Sequence, residues 1–193
     1  MAGDGAAAAG DIGYRGPTAC AAAGITYRQL DYWARTGLVE PSVRPAYGSG
    51  TQRLYSFRDV VLLKIVKRFL DTGVALQNIR TTVQHLRARG FQDLERMTLM
   101  SDGATVYECS SPDEVVDLLQ GGQGVFGIAV GVVWRDVDAA LSQLHGERVD
   151  TGETLIGPQP HRRARTAAQP RRLNGPRSGA AAIVSAVGQH RLM

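Results

Sequence analysis

TYRQLDYWARTGLVEPSVRPAYGSGTQRLY, residues 26–55, is the stretch whose reading decides the fold. Thr26 and Gln29 stand three apart in a capping-box pattern, and Leu30, Trp33 and Ala34 follow at helical spacing until Gly37 stops the helix. Just upstream, residues 14–23 form another short helical segment. Pro17 suits its first turn, its alanines make it slim enough for close packing, and Gly24-Ile25 breaks it. A short helix, a glycine turn and a second helix make a helix-turn-helix arrangement. Downstream, Leu38-Val39 and Arg53-Leu54-Tyr55 are partly apolar arms separated by Pro41, Pro45, Gly48, Ser49 and Gly50. Their spacing predicts a two-stranded wing with a mobile tip.

In such an arrangement the second helix enters the DNA major groove and a basic loop grips the backbone. The residue types fit that chemistry. Arg28 and Gln29 are the candidates for base edges, because Arg bonds guanine and Gln bonds adenine through paired hydrogen bonds. Tyr27 suits a phosphate or a thymine methyl, and Thr26, Tyr32 and Arg35 complete the set on the helix. On the wing, Arg44 and Arg53 are the candidates for phosphates, with Gln52 beside them. Tyr55 either bonds a phosphate through its hydroxyl or anchors the wing. Trp33, an aromatic at helical spacing on the apolar face, is assigned to the core.

Ser56 and Asp59 make another capping box, followed by an apolar helix from Phe57 to Leu70 that ends at Gly73. The next helix aligns Leu76, Ile79, Val83 and Leu86. Lys64, Lys67, Arg68, Arg80, Arg87 and Arg89 on these two helices read as a solvated face. A second module is expected over residues 91–145. It comprises a β-hairpin around Ser-Asp-Gly 101–103, a helix started by Ser111, Pro112 and Glu114, a strand over 125–133 and an amphipathic helix with Trp134, Val137, Leu141 and Leu144. About fifty-five residues make a small core, which predicts completion by a second copy. Residues 1–10 read as a flexible leader without the basic start of a signal peptide. Residues 146–193, rich in Arg, Pro, Gly and Ala, read as a disordered tail.

Charge is segregated along the chain. Residues 11–90 carry 12 Lys/Arg against 5 Asp/Glu, residues 91–145 carry 2 against 9, and residues 146–193 carry 8 against 3. A basic segment followed by an acidic one predicts that only the first faces phosphates. Cys20 and Cys109 are too few for a disulfide framework and read as packed thiols in a reducing cytoplasm. No apolar run reaches membrane-spanning length. The letters G-x-G-x-x-G at Gly122, Gly124 and Gly127 follow a helix and open a strand, the reverse of a dinucleotide site. The four histidines are scattered, and neither a metal set nor a catalytic constellation is arguable, so no cofactor and no enzyme activity are expected.

The order of elements and several letters coincide with one family. Tyr32-Trp33 before Gly37-Leu38, Arg53-Leu54-Tyr55, Asp59-Val60-Val61 and Leu76-Gln77-Asn78-Ile79 resemble the DNA-binding domain of MerR-type transcription regulators over residues 16–89. The chain departs from that pattern at Asp31, where the family commonly has Arg, and at Gln52, where it often has Tyr. No long dimerisation helix follows. A subgroup of actinobacterial MerR-like proteins with a small α/β domain in its place is the nearest resemblance. It implies a homodimer on a pseudo-palindromic promoter element, with RNA polymerase as neighbour and an unidentified effector. The fold class expected is α+β: a winged helix-turn-helix domain (11–90), a small α/β dimerisation or effector domain (91–145) and a disordered tail. An architectural or recombination accessory protein, or a protein-interaction adaptor through residues 91–145, are the other readings.

Overall fold

The computed structural model describes residues 12–46, 52–89, 91–122, 126–148, 154–156 and 182–184. The chain forms two compact units. One is drawn from residues 1–64 and 135–163, the other from residues 65–134 and 164–193. The grouping therefore differs from the expected division at 90 and 145.

The first unit begins with β1 (Ile12–Arg15), which the helical reading of residues 14–23 had missed. Helix α1 (Gly16–Ala23) starts only after it and carries Pro17 in its first turn. Gly24 closes α1 in the left-handed conformation at φ 72°, where a side chain would be strained, and donates its N–H to the Cys20 carbonyl at 2.9 Å. Helix α2 (Tyr27–Arg35) starts with the capping box expected. The Gln29 N–H donates to Thr26 Oγ1 at 3.2 Å, and the Thr26 N–H donates to Gln29 Oε1 at 3.0 Å. The two helices pack together, α1 burying Ala19, Ala22 and Ala23 and α2 burying Leu30 and Trp33.

A four-stranded sheet in the order β2-β1-β6-β7 completes this unit, with β2 (Leu54–Tyr55), β6 (His145–Arg148) and β7 (Thr154–Ile156). All its pairings are antiparallel: Tyr14 opposes Tyr55, Gly13 opposes Glu147, and Gly146 opposes Leu155. Two expectations fail here. Leu38-Val39 is not a strand. Both residues are buried beside the end of α2, and their N–H groups donate to the Trp33 carbonyl at 2.9 and 3.3 Å. The tail is also not uniformly irregular, since β6 and β7 lie within or beside it and pair into the sheet. His145–Arg148 has no apolar alternation to announce a strand; its order comes from the open edge of β1, a non-local partner invisible in the segment itself.

Helix α3 (Phe57–Asp71) starts from the Ser56/Asp59 capping box and buries Val60, Val61, Leu63, Ile65, Val66 and Phe69, as the periodicity predicts. The boundary between the units falls inside α3 and again inside α7 (Val130–Leu141). In the second unit α4 (Leu76–Ala88) buries Ile79, Val83 and Leu86, and the short α5 (Phe91–Arg96) follows. The expected hairpin is β3 (Thr98–Ser101) with β4 (Val106–Cys109), in register from Thr98 opposite Cys109 to Ser101 opposite Val106. Helix α6 (Pro112–Gln120) has Ser111 as its cap, accepting from the Glu114 N–H. Strand β5 (Phe126–Ala129) is shorter than the 125–133 expected, because the chain turns helical at Val130. The sheet order is β5-β3-β4-β8, its last strand (Ala182–Val184) again coming from the tail. Gly131 is required by proximity: a Cβ there would lie 2.4 Å from the Glu95 carbonyl oxygen.

Glu108 on β4 is buried and accepts hydrogen bonds from His85 Nε2 and from Arg89, whose Nη2 lies 2.8 Å from Oε1. Both cysteines are free, and burial pushes both thiols up, away from the reactive thiolate. No helix among the described residues is long and apolar enough to cross a membrane, and no described group of three His, Cys, Asp or Glu is placed to hold a metal ion. The leader and the wing tip, with Gly48, Ser49 and Gly50, lie outside the described residues.

Candidate nucleic-acid interface

Helix α2 divides cleanly by burial. Leu30 and Trp33 face inward at 1% and 3% exposure, whereas Thr26, Tyr27, Arg28, Tyr32 and Arg35 are exposed and Gln29 is half-buried. Tyr27 and Tyr32, at 62% and 48%, are large aromatic surfaces left open to solvent. The helix therefore presents donors, a cation and aromatic rings together on one outer strip, held rigid by its capping box and by the Trp33 core contact.

The wing is based on a bridge between Arg44 and Leu54. The Arg44 N–H donates to the Leu54 carbonyl at 3.1 Å and the Leu54 N–H returns to the Arg44 carbonyl at 2.9 Å. Asp59, 4% exposed, ties this base to α3 by accepting from the Ser42 N–H at 2.8 Å, the Ser42 hydroxyl at 2.7 Å and the Ser56 N–H at 2.9 Å. A cleft of about 640 Å³ opens between the start of α1, helix α2 and the wing, lined by Arg15, Tyr27, Asp31, Gln52 and Arg53 among others.

Two carboxylates hold the arginines around this cleft. Asp31 accepts from Arg53 Nη1 and pairs with Arg35 Nη2, each at 2.8 Å. The bond from Arg53, and then the charges of Arg35 and Arg53, hold the Asp31 carboxyl below its usual range. Glu147, from β6, pairs with Arg15 Nε at 2.6 Å and with Arg44 Nη2 at 3.4 Å. Among the described residues, Arg28 has no ion-pair partner.

Residues 14–86 match the sequence profile of the MerR HTH family regulatory proteins. Uncharacterized HTH-type transcriptional regulators of Mycobacterium bovis and of Mycobacterium tuberculosis strain H37Rv are each 66% identical to this chain over 148 residues. The similarity covers 77% of this chain and 66% of each relative, so the chain spans just under two thirds of the length of the relatives it matches. Residues 14–86 form a MerR-type HTH domain.

Within its MerR-type domain the sites expected from sequence fall into three groups. Thr26, Tyr27, Arg28, Gln29 and Tyr32 share the outer side of α2, and Gln52 is exposed at the cleft. Arg35, Arg44 and Arg53 are placed near that strip but are engaged by Asp31 or Glu147. Tyr55 has no exposed surface on the chain. It is fully buried opposite Tyr14, and burial pushes its phenol up to about 12, so it anchors the wing to β1. Sequence reasoning missed Arg15 and Glu147, which meet across 132 residues of chain, and it read Asp31 only as a departure from the family pattern. No periodicity signals such a pairing; the unusual acid on a basic helix was the one available sign.

Proposed function

We propose that this MerR-type chain is a DNA-binding transcription regulator that acts in the cytoplasm as a homodimer on a pseudo-palindromic promoter element, beside RNA polymerase. The observation that carries the reading is the open strip of α2, where Arg28 is exposed, uncompensated among the described residues, and flanked by Tyr27 and Gln29. Arg28 and Gln29 read base edges, Tyr27 and Tyr32 contact the backbone or thymine methyls, and the wing follows the phosphates. So few base contacts per head give weak binding alone, which is the physical reason for pairing two heads on one site. The acidic segment over residues 91–145 is kept off the DNA by its charge and serves assembly or effector response.

Selection of bound sequences from random duplex DNA tests this. The wild-type chain should recover a short inverted repeat. Arg28→Ala should relax preference at one base position by roughly 1–3 kcal/mol while leaving the repeat otherwise intact. Recovery of no motif, or even enrichment across all sequences, would sink the reading in favour of sequence-blind binding.

A further inference from the structure

The placement of Asp31 has a physical consequence. A lone carboxylate on the outer side of a helix that faces DNA repels every phosphate, and here it also occupies two of the nearest cations. Its side chain is 31% exposed, and its two oxygens take one arginine each, Arg53 from the wing and Arg35 from the next turn of α2. Arg53 is only 23% exposed in this clamp. Glu147 differs in kind: at 9% exposure it is built into the sheet and is not open to exchange with a phosphate.

We propose that Asp31 is a specificity-determining residue, which lowers sequence-blind DNA binding by holding Arg35 and Arg53 away from backbone phosphates. This rests on the DNA-binding reading above. A phosphate that takes either arginine must displace an internal carboxylate and then lie beside its charge. Loosely docked DNA makes no base contacts to offset that cost. A duplex engaged by Arg28 and Gln29 does, and its fixed register brings phosphates to the two arginines at defined positions. The acid therefore penalises wrong sequences more than the right one, the route by which repulsive elements create specificity.

The expected size follows from counterion release. Each additional phosphate neutralised steepens the dependence of log affinity on log salt by roughly 0.9, which at about 0.1 M salt corresponds to nearly tenfold in affinity. The experiment compares full-length wild type, Asp31→Asn and Asp31→Glu by fluorescence anisotropy. The two probes are the duplex recovered by selection and a scrambled duplex of the same length, titrated with KCl. Asp31→Asn should bind the scrambled duplex roughly tenfold or more tightly, with a salt slope steeper by about 1–2, while the recovered duplex gains much less. Asp31→Glu should retain most of the discrimination. Asp31→Ser serves as the second neutral variant should the asparagine chain unfold. Equal tightening on both duplexes would mean a general charge effect and would overturn the assignment, as would weaker binding to the scrambled duplex. A wild-type chain that binds neither duplex would overturn the DNA-binding reading itself, and the proposal with it.

Discussion

Replacing Glu147 by Gln tests whether the strand after α7 is part of the winged head. The carboxylate is 9% exposed, bonds Arg15 Nε at 2.6 Å and lies 3.4 Å from Arg44 Nη2. Breaking a fully buried ion pair costs about 3–5 kcal/mol, and an exposed one less than about 1 kcal/mol. Arg15 is 52% exposed and Arg44 35%, so both partners regain water when the acid is lost, and the cost is discounted towards the lower figure. The glutamine keeps the shape and one acceptor. A loss of about 1–2 kcal/mol follows, most of it through Arg15 because that contact is the shorter. Urea denaturation of the full chain, followed through Trp33 fluorescence in a Trp134→Phe background, measures it. A double-mutant cycle with Arg15→Gln should return a coupling energy of about 1 kcal/mol. A change below roughly 0.3 kcal/mol, or strict additivity of the two variants, would refute the argument that β6 fixes the entry to α1 and the base of the wing.

Two further outcomes are expected. Asp59→Ala leaves the Ser42 and Ser56 N–H groups without their acceptor, while the Ser42 hydroxyl retains Ser56 Oγ at 2.9 Å, and should cost about 2–4 kcal/mol in urea denaturation, against about 1 kcal/mol for Ser42→Ala. In the β3-β4 turn, the Thr105 N–H first, and then the Ala104 N–H and the Tyr107 hydroxyl, hold the Asp102 carboxyl below its usual range. Because the folded value is the lower one, this stabilisation is complete above the ordinary carboxylate pKa of about 4 and is lost as pH falls through the folded value. Thermal unfolding of wild type and Asp102→Ala across the acid range should therefore converge at low pH and separate above about pH 4; parallel curves would contradict the turn's role.

The local elements were legible because their causes are local. Thr26 with Gln29, Ser56 with Asp59, and Ser111 with Glu114 each close within one helical turn, so four residues of sequence carry the whole signal. The apolar periods of α3 and α4 were equally readable, and Trp33 fell into the core for the same reason. The wing was only half legible. Leu38-Val39 looked like a strand because apolar pairs suit strands, yet capping by the Trp33 carbonyl and the competing partner β1 left those residues as a buried helix exit.

By itself the sequence determined the helix-turn-helix, the outer strip of α2 with Thr26, Tyr27, Arg28 and Gln29, and the separation of basic from acidic segments, since each is set by neighbours within a few residues. Only the tertiary structure decided which arginines are free. Asp31 reaches Arg53 across 22 residues, and Glu147 reaches Arg44 across 103 and Arg15 across 132. A charge count cannot distinguish a cation facing solvent from one already held by a carboxylate, because that difference depends on strand pairing and burial between segments far apart in the chain.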